Sequence, residues 1–430
     1  MDRAIAPAMM SGMAISADLP DDVPDDDVSQ AEWNDRARAA EEAVLACFGG
    51  GIPGLTWARA VWPRLPLVGG GASGPRWHYW WSAQLVDAAI DAARHRPSAV
   101  ARRRARSLAR GVWLRNGASW SRPFYDDIAW LALAFQRGAD VVGQRRAARQ
   151  LEARLAGAID PAVGALPWRV DSRLFNAPAN GPAAILFART GRLGAAHALA
   201  DWIDDTLRDP ASGLVIDGIE VEDGAVRRVT ELYTYCQGVA LGAEIALARA
   251  EPGTRPLHRA IALIDAIATW TAPSGVLPGS GGGDGGLFAA ITCRYLADAA
   301  HYLDGADAAA QPDGSTDAPG DTAGDLPPRL RAAASARRLV LANAAAVWSG
   351  RAQVDGRPLF AADWGRDADT AAASPEHGLS VQLGGWLALE AAVDATSRRV
   401  DTSPPRRHQS DAAGMSSRRD DVDSAAAPRS

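Results

Sequence analysis

The sequence contains no lysine, only three cysteines and no long uninterrupted hydrophobic run. All 45 basic residues are therefore arginine, and 51 acidic residues outnumber them, which gives a net charge of −6. This balance argues against a polybasic protein that binds nucleic acid or a membrane surface. No segment reaches the roughly 18 consecutive apolar residues of a membrane span. We therefore expect no nucleic-acid partner and no membrane span.

The scarce cysteines and histidines do not form a ligand pattern. Cys47, Cys236 and Cys293 are odd in number, far apart and without CxxC or Cys/His spacing, so we predict buried, reduced thiols. The seven histidines show no HExxH pattern, and we expect no metal. The glycine run at 281–286 lacks the preceding strand and the following lysine of a phosphate loop, so we expect no nucleotide and no other cofactor.

Three polar segments divide the chain. They lack the apolar content that would offset the entropy cost of folding, and we predict disorder for the leader 1–30, an inserted loop 304–328 and the tail 396–430. Too few residues follow the loop to form a second domain, so residues 31–395 are predicted to be one domain. Pro7 and Gly12 interrupt the weak apolar run of the leader, which is not typical of an export signal and favours a cytoplasmic location over secretion.

Helical periodicity covers nearly all of residues 31–395, and strand signals are almost absent. Glycine and proline divide this region into twelve predicted helices, near 31–47, 78–93, 97–115, 125–137, 140–156, 177–190, 192–208, 232–249, 255–271, 285–303, 329–349 and 378–394. Helix 140–156 has one charged face, whereas helices 125–137 and 378–394 are apolar nearly all round. Because a helix without a polar face is buried, the even-numbered helices are predicted to be inner and the odd-numbered outer. This alternation predicts six hairpins closed into an all-α, single-domain (α/α)6 toroid.

Each even-numbered helix begins with a polar or aromatic cluster. The clusters are WHYWWSAQ at 77–84, FYDDIAW at 124–130, NAPANGPA at 176–183, ELYTYCQG at 231–238, GGGDGGLF at 281–288 and EHGLSVQ at 376–382. In a toroid the first turns of the inner helices meet at one end of the ring. The six clusters are therefore predicted to line one cavity.

Asp126 and Asp127 are the strongest candidates for chemistry. They are adjacent carboxylates in the first turn of a buried helix, where the helix dipole favours ionisation and each carboxylate disfavours ionisation of the other. We predict one lower and one higher pKa, the arrangement that glycoside hydrolysis requires. The alternative is that they are ordinary first-turn acids. The neighbouring Phe124, Tyr125 and Trp130 favour the catalytic interpretation.

The aromatic composition suggests a sugar substrate. Fifteen tryptophans outnumber seven phenylalanines and six tyrosines, and flat aromatic faces pack well against sugar rings, although core packing explains most of them. Neutral amides at inner-helix starts suit sugar hydroxyls, with capping and core hydrogen bonds as the equal alternative. Asp284 either binds a hydroxyl or caps a helix. The predicted substrate-binding residues are Trp80, Trp81, Tyr125, Trp130, Asn176, Asn180, Tyr235, Gln237 and Asp284.

The segment Tyr125-Asp126-Asp127-Ile128-Ala129-Trp130 resembles the YDDxAW motif of glycoside hydrolase family 76, the endo-α-1,6-mannanases. Further agreement follows in order along residues 31–395: YWWSAQLVDAAID at 79–91, GLVIDG at 213–218, YTYCQGVALGA at 233–243, DGGLFAAITCRYL at 284–296 and NAAAVW at 343–348. The resemblance implies an (α/α)6 fold and a retaining mechanism with Asp126 as nucleophile and Asp127 as acid/base. It also implies α-mannan or a related α-mannoside as partner.

The chain departs from the family pattern in two places. Tyr235-Cys236-Gln237 replaces the usual Tyr-Asn-Gln, and Phe288-Ala289-Ala290 replaces Phe-Lys-Gly. Both departures concern substrate contacts and leave the catalytic pair intact.

The resulting hypothesis is a monomeric, endo-acting glycosidase that hydrolyses α-1,6-mannosidic linkages. Two alternatives stay open, a transglycosylase acting on α-mannosides and a non-catalytic mannan-binding protein. An epimerase or unsaturated-uronide hydrolase on a similar toroid is disfavoured, because those reactions do not need adjacent aspartates.

Overall fold

The computed structural model describes residues 28–52, 54–62, 77–305, 326–366 and 377–397. Nearly all of the predicted leader, inserted loop and tail lies outside these residues. Across the ranges just given, no helix is both long enough and apolar enough to cross a membrane.

Twelve helices of at least ten residues form the described part of the chain. Six are outer helices: α1 Gln30–Phe48, α3 Ala99–Arg115, α5 Arg145–Ala156, α7 Leu193–Trp202, α9 Thr254–Thr271 and α11 Pro328–Ser349. Six are inner helices: α2 Tyr79–His95, α4 Tyr125–Arg137, α6 Ala177–Thr190, α8 Thr234–Ala250, α10 Phe288–Asp304 and α12 Leu379–Thr396. A one-turn helix at Ala139–Val142, a π-turn at Ile203–Leu207 and a 3-10 helix at Gly283–Leu287 complete the helical elements.

The inner helices form a closed ring. Each packs against the next in chain order, and α12 packs against both α2 and α1, so that the last hairpin meets the first. Burial follows the predicted alternation: 14 of the 17 residues of α8 are buried, against 5 of the 12 residues of α5. The predicted (α/α)6 toroid is confirmed.

Close approach within the ring depends on glycine. A Cβ atom at Gly238 of α8 would lie 2.8 Å from Thr292 Cα of α10, and one at Gly384 of α12 would lie 2.1 Å from the Gly286 carbonyl oxygen. Real Cβ atoms do not approach other atoms so closely, so a side chain at either position would force neighbouring elements apart. Glycine therefore sets the spacing of the inner helices.

Within the described connections lie nine short antiparallel strands, which were not predicted. They are β1 Gly49–Ile52, β2 Leu55–Ala58, β3 Val61–Trp62, β4 Leu174–Asn176, β5 Gly218–Glu222, β6 Ala225–Val229, β7 Ala352–Val354, β8 Arg357–Leu359 and β9 His377–Gly378. The sheets pair as β1-β2, β3-β9, β4-β5-β6 and β7-β8. Since β4 leads directly into α6 and β9 into α12, the pairings fix where these inner helices begin.

A buried ion-pair network joins the inner helices α2, α4 and α10. Arg137, the last residue of α4, pairs with Asp87 and Asp91 of α2. Arg294 of α10 approaches the same carboxylates at 3.3 and 2.7 Å. Burial opposes ionisation of Asp91, but Arg137 and Arg294 hold the pKa of that carboxyl below its ordinary value. The network lies away from the helix starts, where Asp126 is found.

Candidate active site

The start of α4 is held by the segment that follows α5. The Tyr125 amide donates to the Trp168 carbonyl at 2.9 Å, and the Val170 amide donates to the Pro123 carbonyl at 2.9 Å. The rings of Phe124 and Trp168 meet edge to face with centroids 5.1 Å apart. These contacts fix the first turn of α4, which carries both predicted catalytic aspartates.

The two aspartates have different surroundings. One oxygen of Asp126 accepts the Asp127 amide at 2.8 Å, and the other accepts Trp168 Nε1 at 2.9 Å. Asp127 Oδ2 instead lies 3.8 Å from Nε of Arg122. The Arg122 guanidinium lies over the ring of Tyr79, 5.5 Å from its centroid. Asp126 is therefore supported as a carboxylate by two short hydrogen bonds, and Asp127 by one more distant cation.

Burial dominates the acidity of both groups. It raises the pKa of Asp126 to about 7, against the opposing effect of the hydrogen bonds from the Asp127 amide and Trp168. Burial and the charge of Asp126 raise the pKa of Asp127 well above its ordinary value, while Arg122 acts in the opposite direction. Both pKa values thus lie above the ordinary range, a shift that the predicted split into one lower and one higher pKa did not specify. The donors at Asp126 make it the first of the pair to ionise.

Asp284 brings two predicted substrate tryptophans together. Its Oδ1 accepts Trp80 Nε1 at 2.9 Å and Trp81 Nε1 at 2.8 Å. The charge of Asp284 also contributes to the raised pKa values of Asp126 and Asp127, which places it near the pair. Asp284 lies in the 3-10 helix before α10, so the first turns of α2, α4 and α10 meet as predicted.

Three further aromatic predictions fall in different environments. Tyr235 stacks in parallel on Phe288 with centroids 3.8 Å apart, and burial raises its pKa, with the charge of Asp126 among the smaller contributions. Tyr125 is half-buried, and Arg154 Cζ lies 5.7 Å from its ring centroid. Trp130 is only 6% exposed and belongs to the hydrophobic core. Tyr235 and Tyr125 thus lie beside the pair, and Trp130 packs behind it.

The predicted amides hold backbone segments. Asn180 accepts the Leu166 amide at 2.7 Å and donates to the Leu166 carbonyl at 2.9 Å, and Gln237 bonds the Val215 amide and carbonyl in the same way. Both side chains are fully buried. Asn176 caps α6 by accepting the Ala179 amide at 3.3 Å. These contacts match the capping and core alternative, so the three amides act as positioning residues.

Two residues outside the predicted substrate-binding set also use an amide in this way. Gln382 bonds the amide and carbonyl of Phe360, and Asn343 bonds the Leu277 amide and the Gly275 carbonyl. Because such side chains satisfy two backbone groups of a loop at once, they fix loops that lack regular pairing.

Trp168, Arg122 and Asp217 are site residues that sequence reasoning missed. Trp168 contacts Asp126 across 42 positions in a segment without helical periodicity, so no local pattern marks it. Asp217 is nearly buried and accepts Cys236 Sγ at 3.7 Å, and burial raises its pKa to about 6. The only signal for Asp217 was the GLVIDG segment of the family resemblance. Cys236, where the family pattern has asparagine, thus contacts a buried carboxylate near the site.

The described residues contain no group of three or more His, Cys, Asp or Glu side chains placed to hold a metal ion. The three cysteines are buried and free, in agreement with the predicted reduced thiols.

The family model described as glycosyl hydrolase family 76 matches residues 32–318, more than half of the chain. The chain belongs to this family of glycosidases. A comparison with curated proteins finds no match.

Solved structures agree with this assignment. The alpha-1,6-mannanase of Salegentibacter sp. HEL1_6 has 26% identity and a TM-score of 0.68, covering 84% of this chain and 98% of that one. An inactive variant of that enzyme, with two adjacent aspartates replaced by asparagine, was solved in complex with alpha-1,6-mannotriose. It is 25% identical to this chain, with a TM-score of 0.68, and the match covers 84% of this chain and 99% of that one. The family 76 alpha-mannanase of Bacteroides thetaiotaomicron is 14% identical, with a TM-score of 0.61, and the match covers 86% of this chain and 96% of that one. At this identity the similarity supports the fold alone.

The Trp168 hydrogen bond predicts a pH effect. Trp168→Phe keeps a ring against Phe124 but removes the donor to Asp126, so we expect the pKa of Asp126 to rise by about one unit. The acid limb of the pH profile of kcat/KM, which reports ionisation of the free enzyme, should move to higher pH by a similar amount. Activity should therefore fall more at pH 6 than at pH 8.

Trp270→Phe, on outer helix α9, is the matched control and should leave the profile unchanged. An acid limb that stays in place in Trp168→Phe would show that the indole does not control ionisation of the pair.

Proposed function

We propose that this glycosidase is an endo-acting, retaining hydrolase of α-1,6-mannosidic linkages. The observation that carries the proposal is the adjacent pair Asp126 and Asp127 in the first turn of α4, with two donors on the first carboxylate and one distant cation at the second. The similarity of 84% of the chain to an alpha-1,6-mannanase supports the choice of linkage.

The first half of the reaction uses the two carboxyl groups in different protonation states. Ionised Asp126 attacks the anomeric carbon of the bound mannose, and the bond from that carbon to the glycosidic oxygen breaks. Asp127 delivers its proton to the departing oxygen, which leaves as a hydroxyl on the shortened chain. The product at this point is a mannosyl ester of Asp126, and Asp127 is left as a carboxylate.

Water completes the reaction. The Asp127 carboxylate accepts a proton from a water molecule whose oxygen attacks the anomeric carbon, and the ester bond to Asp126 breaks. The released sugar keeps its original anomeric configuration, and both aspartates return to their starting states. The raised pKa of Asp127 suits this alternation, because the group must hold a proton before the first step and give it up during that step.

The aromatic residues near the pair supply the sugar-binding surface of the proposed site. Asp284 fixes the edges of Trp80 and Trp81. Half-buried Trp80 can offer its face to a sugar, whereas Trp81 is buried and stacked on His78 with centroids 3.9 Å apart. Tyr235, stacked on Phe288, is similarly constrained. Because one chain forms the closed ring and holds all of these residues, we propose that a monomer is sufficient for activity.

A panel of linkage-defined substrates tests the proposal. We expect the purified protein to cleave an α-1,6-linked mannotetraose and release shorter oligosaccharides, while α-1,2- and α-1,3-linked mannobioses stay intact. Products longer than the substrate in the presence of added acceptor would favour transglycosylation instead. Saturable binding of the tetraose without any product would favour a binding protein and contradict the proposal.

A further inference from the structure

Outer helices α3 and α5 form a strongly basic face on an acidic protein. Together they contain ten arginines, and their only acidic residue, Glu152, is buried and paired with Arg192 at 2.7 Å. The chain as a whole has a net charge of −6. Nine of the ten arginines are exposed: Arg102, Arg103, Arg106, Arg110, Arg115, Arg145, Arg146, Arg149 and Arg154. Such a concentration of one charge attracts anions.

A groove of about 600 Å³ lies between these two helices. One wall is made by α5, where Arg146, Gln150 and Arg154 are four residues apart and therefore share one helix face. Trp113, at the end of α3, and Trp120, in the loop before α4, contribute the aromatic part of the lining. The groove thus combines planar cationic, amide and indole groups.

The indoles form a fixed surface. The Trp113 and Trp120 ring centroids are 6.4 Å apart at 45°, and Trp120 is held edge to face against buried Phe135 at 5.1 Å. Trp113 is 39% exposed, so core packing does not account for it. An exposed indole beside a rigid one suits the apolar face of a sugar ring. Guanidinium groups bind phosphate oxygens in a bidentate manner that ammonium groups cannot match.

One end of the groove adjoins the catalytic helix. Arg154 Cζ lies 5.7 Å from the ring centroid of Tyr125, the residue before Asp126, and Arg154 Nη2 donates to the Arg122 carbonyl at 3.5 Å. The groove is nevertheless separate from the pair, because its lining residues lie on α3, on α5 and in the loops that precede α4 and α5.

We propose that this groove is a second glycan-binding site, specific for a phosphate-bearing segment of a glycan chain. Trp113 contacts a sugar ring, Gln150 a hydroxyl, and Arg146 and Arg154 the phosphate. This proposal depends on the proposed function in one respect, which is that the sugar is taken to be mannose. It predicts that the protein prefers phosphorylated mannan to neutral mannan of equal length.

Binding is best measured in a chain that cannot turn over its ligand. Isothermal titration of the Asp126→Asn/Asp127→Asn chain with phosphorylated α-mannan oligosaccharides should give a Kd at least about tenfold lower than titration with the same oligosaccharides after phosphatase treatment. Adding Arg146→Gln should abolish most of that preference. Adding Trp113→Ala should weaken binding of both ligands. Arg338→Gln, an exposed arginine on α11 that causes the same loss of charge, is the matched control and should change neither Kd.

Several results would overturn the proposal. Equal affinity for the phosphorylated and dephosphorylated ligands, or equal effects of Arg146→Gln and Arg338→Gln, would exclude phosphate recognition in the groove. Inorganic phosphate binding as tightly as the phosphorylated glycan would identify a free-anion site. Binding to vesicles of anionic phospholipid in place of the glycan would identify a membrane surface. Hydrolysis of neutral α-1,6-mannotetraose by the wild-type protein tests the proposed function separately, so failure of one proposal is distinguishable from failure of the other.

Discussion

Asp126→Asn should lower kcat by at least about a thousandfold, because an amide cannot form the ester intermediate. Asparagine has nearly the same volume and keeps an acceptor for one of the two donors, Trp168 Nε1 or the Asp127 amide, so the melting temperature should stay within a few degrees of wild type. Steady-state kinetics on α-1,6-mannotetraose, with circular dichroism melting as a check on folding, measure both quantities. We expect kcat and kcat/KM to fall by similar factors, because the nucleophile stabilises the transition state and not the bound substrate.

The matching variant Asp127→Asn should show a different dependence on the leaving group. Loss of the acid should lower kcat by orders of magnitude with the mannotetraose as substrate. The decrease should be much smaller with a dinitrophenyl α-mannoside, because its leaving group needs no proton. Added azide should restore turnover in Asp127→Asn with an α-mannosyl azide as product, because it replaces the water that Asp127 activates in attack on the ester. Any azide product of Asp126→Asn should be the β anomer, because azide would then attack the substrate directly.

Asp140→Asn is the control for these variants, since Asp140 is exposed and pairs with Arg94 away from the site. Activity of Asp126→Asn within tenfold of wild type would exclude that residue as nucleophile. An α-mannosyl azide from Asp126→Asn and a β-mannosyl azide from Asp127→Asn would reverse the two roles.

Arg137→Ala should lower the free energy of unfolding by about 3–5 kcal/mol, because it leaves buried carboxylates without their main counterion. Arg137 donates to Asp87 at 3.0 Å and pairs with Asp91, and the two aspartate side chains are only 13% and 11% exposed. Arg294 alone would then face two carboxylates. Urea unfolding followed by circular dichroism at neutral pH measures the change.

Arg38→Ala provides the comparison for this prediction. Arg38 pairs with Asp35 at 2.9 Å, but both side chains are more than half exposed, and solvent screening limits such a pair to about 1 kcal/mol or less. Losses of equal size in the two variants would show that the network inside the ring does not stabilise the fold more than a surface pair does.

Much of the fold follows from local sequence patterns. The twelve helices and their inner or outer positions could be predicted because a toroid repeats one rule, an apolar helix followed by an amphipathic one. The prediction failed where the backbone conformation of a single residue decides whether a helix continues or ends. Gly143 adopts a φ of +76°, which separates a one-turn helix from α5 within the segment 140–156 that was predicted as continuous. The short strands were missed because their partners are distant or their length is only two to five residues.

The site could be predicted residue by residue but not as a set of contacts. Asp284, Trp80 and Trp81 were each selected, yet the hydrogen bonds that unite them span more than 200 positions and leave no local trace. Trp168 was missed for the same reason. Asn180 and Gln237 show the opposite error, since an amide at an inner-helix start serves a loop backbone as well as it would serve a sugar.

The most direct test of the catalytic assignment is proton NMR of wild-type protein acting on α-1,6-mannotetraose, recorded before mutarotation. Double displacement through Asp126 predicts that the α anomer of the new reducing end appears first. First appearance of the β anomer, or no cleavage at all, would contradict the assignment of Asp126 and Asp127 as a nucleophile and acid/base pair.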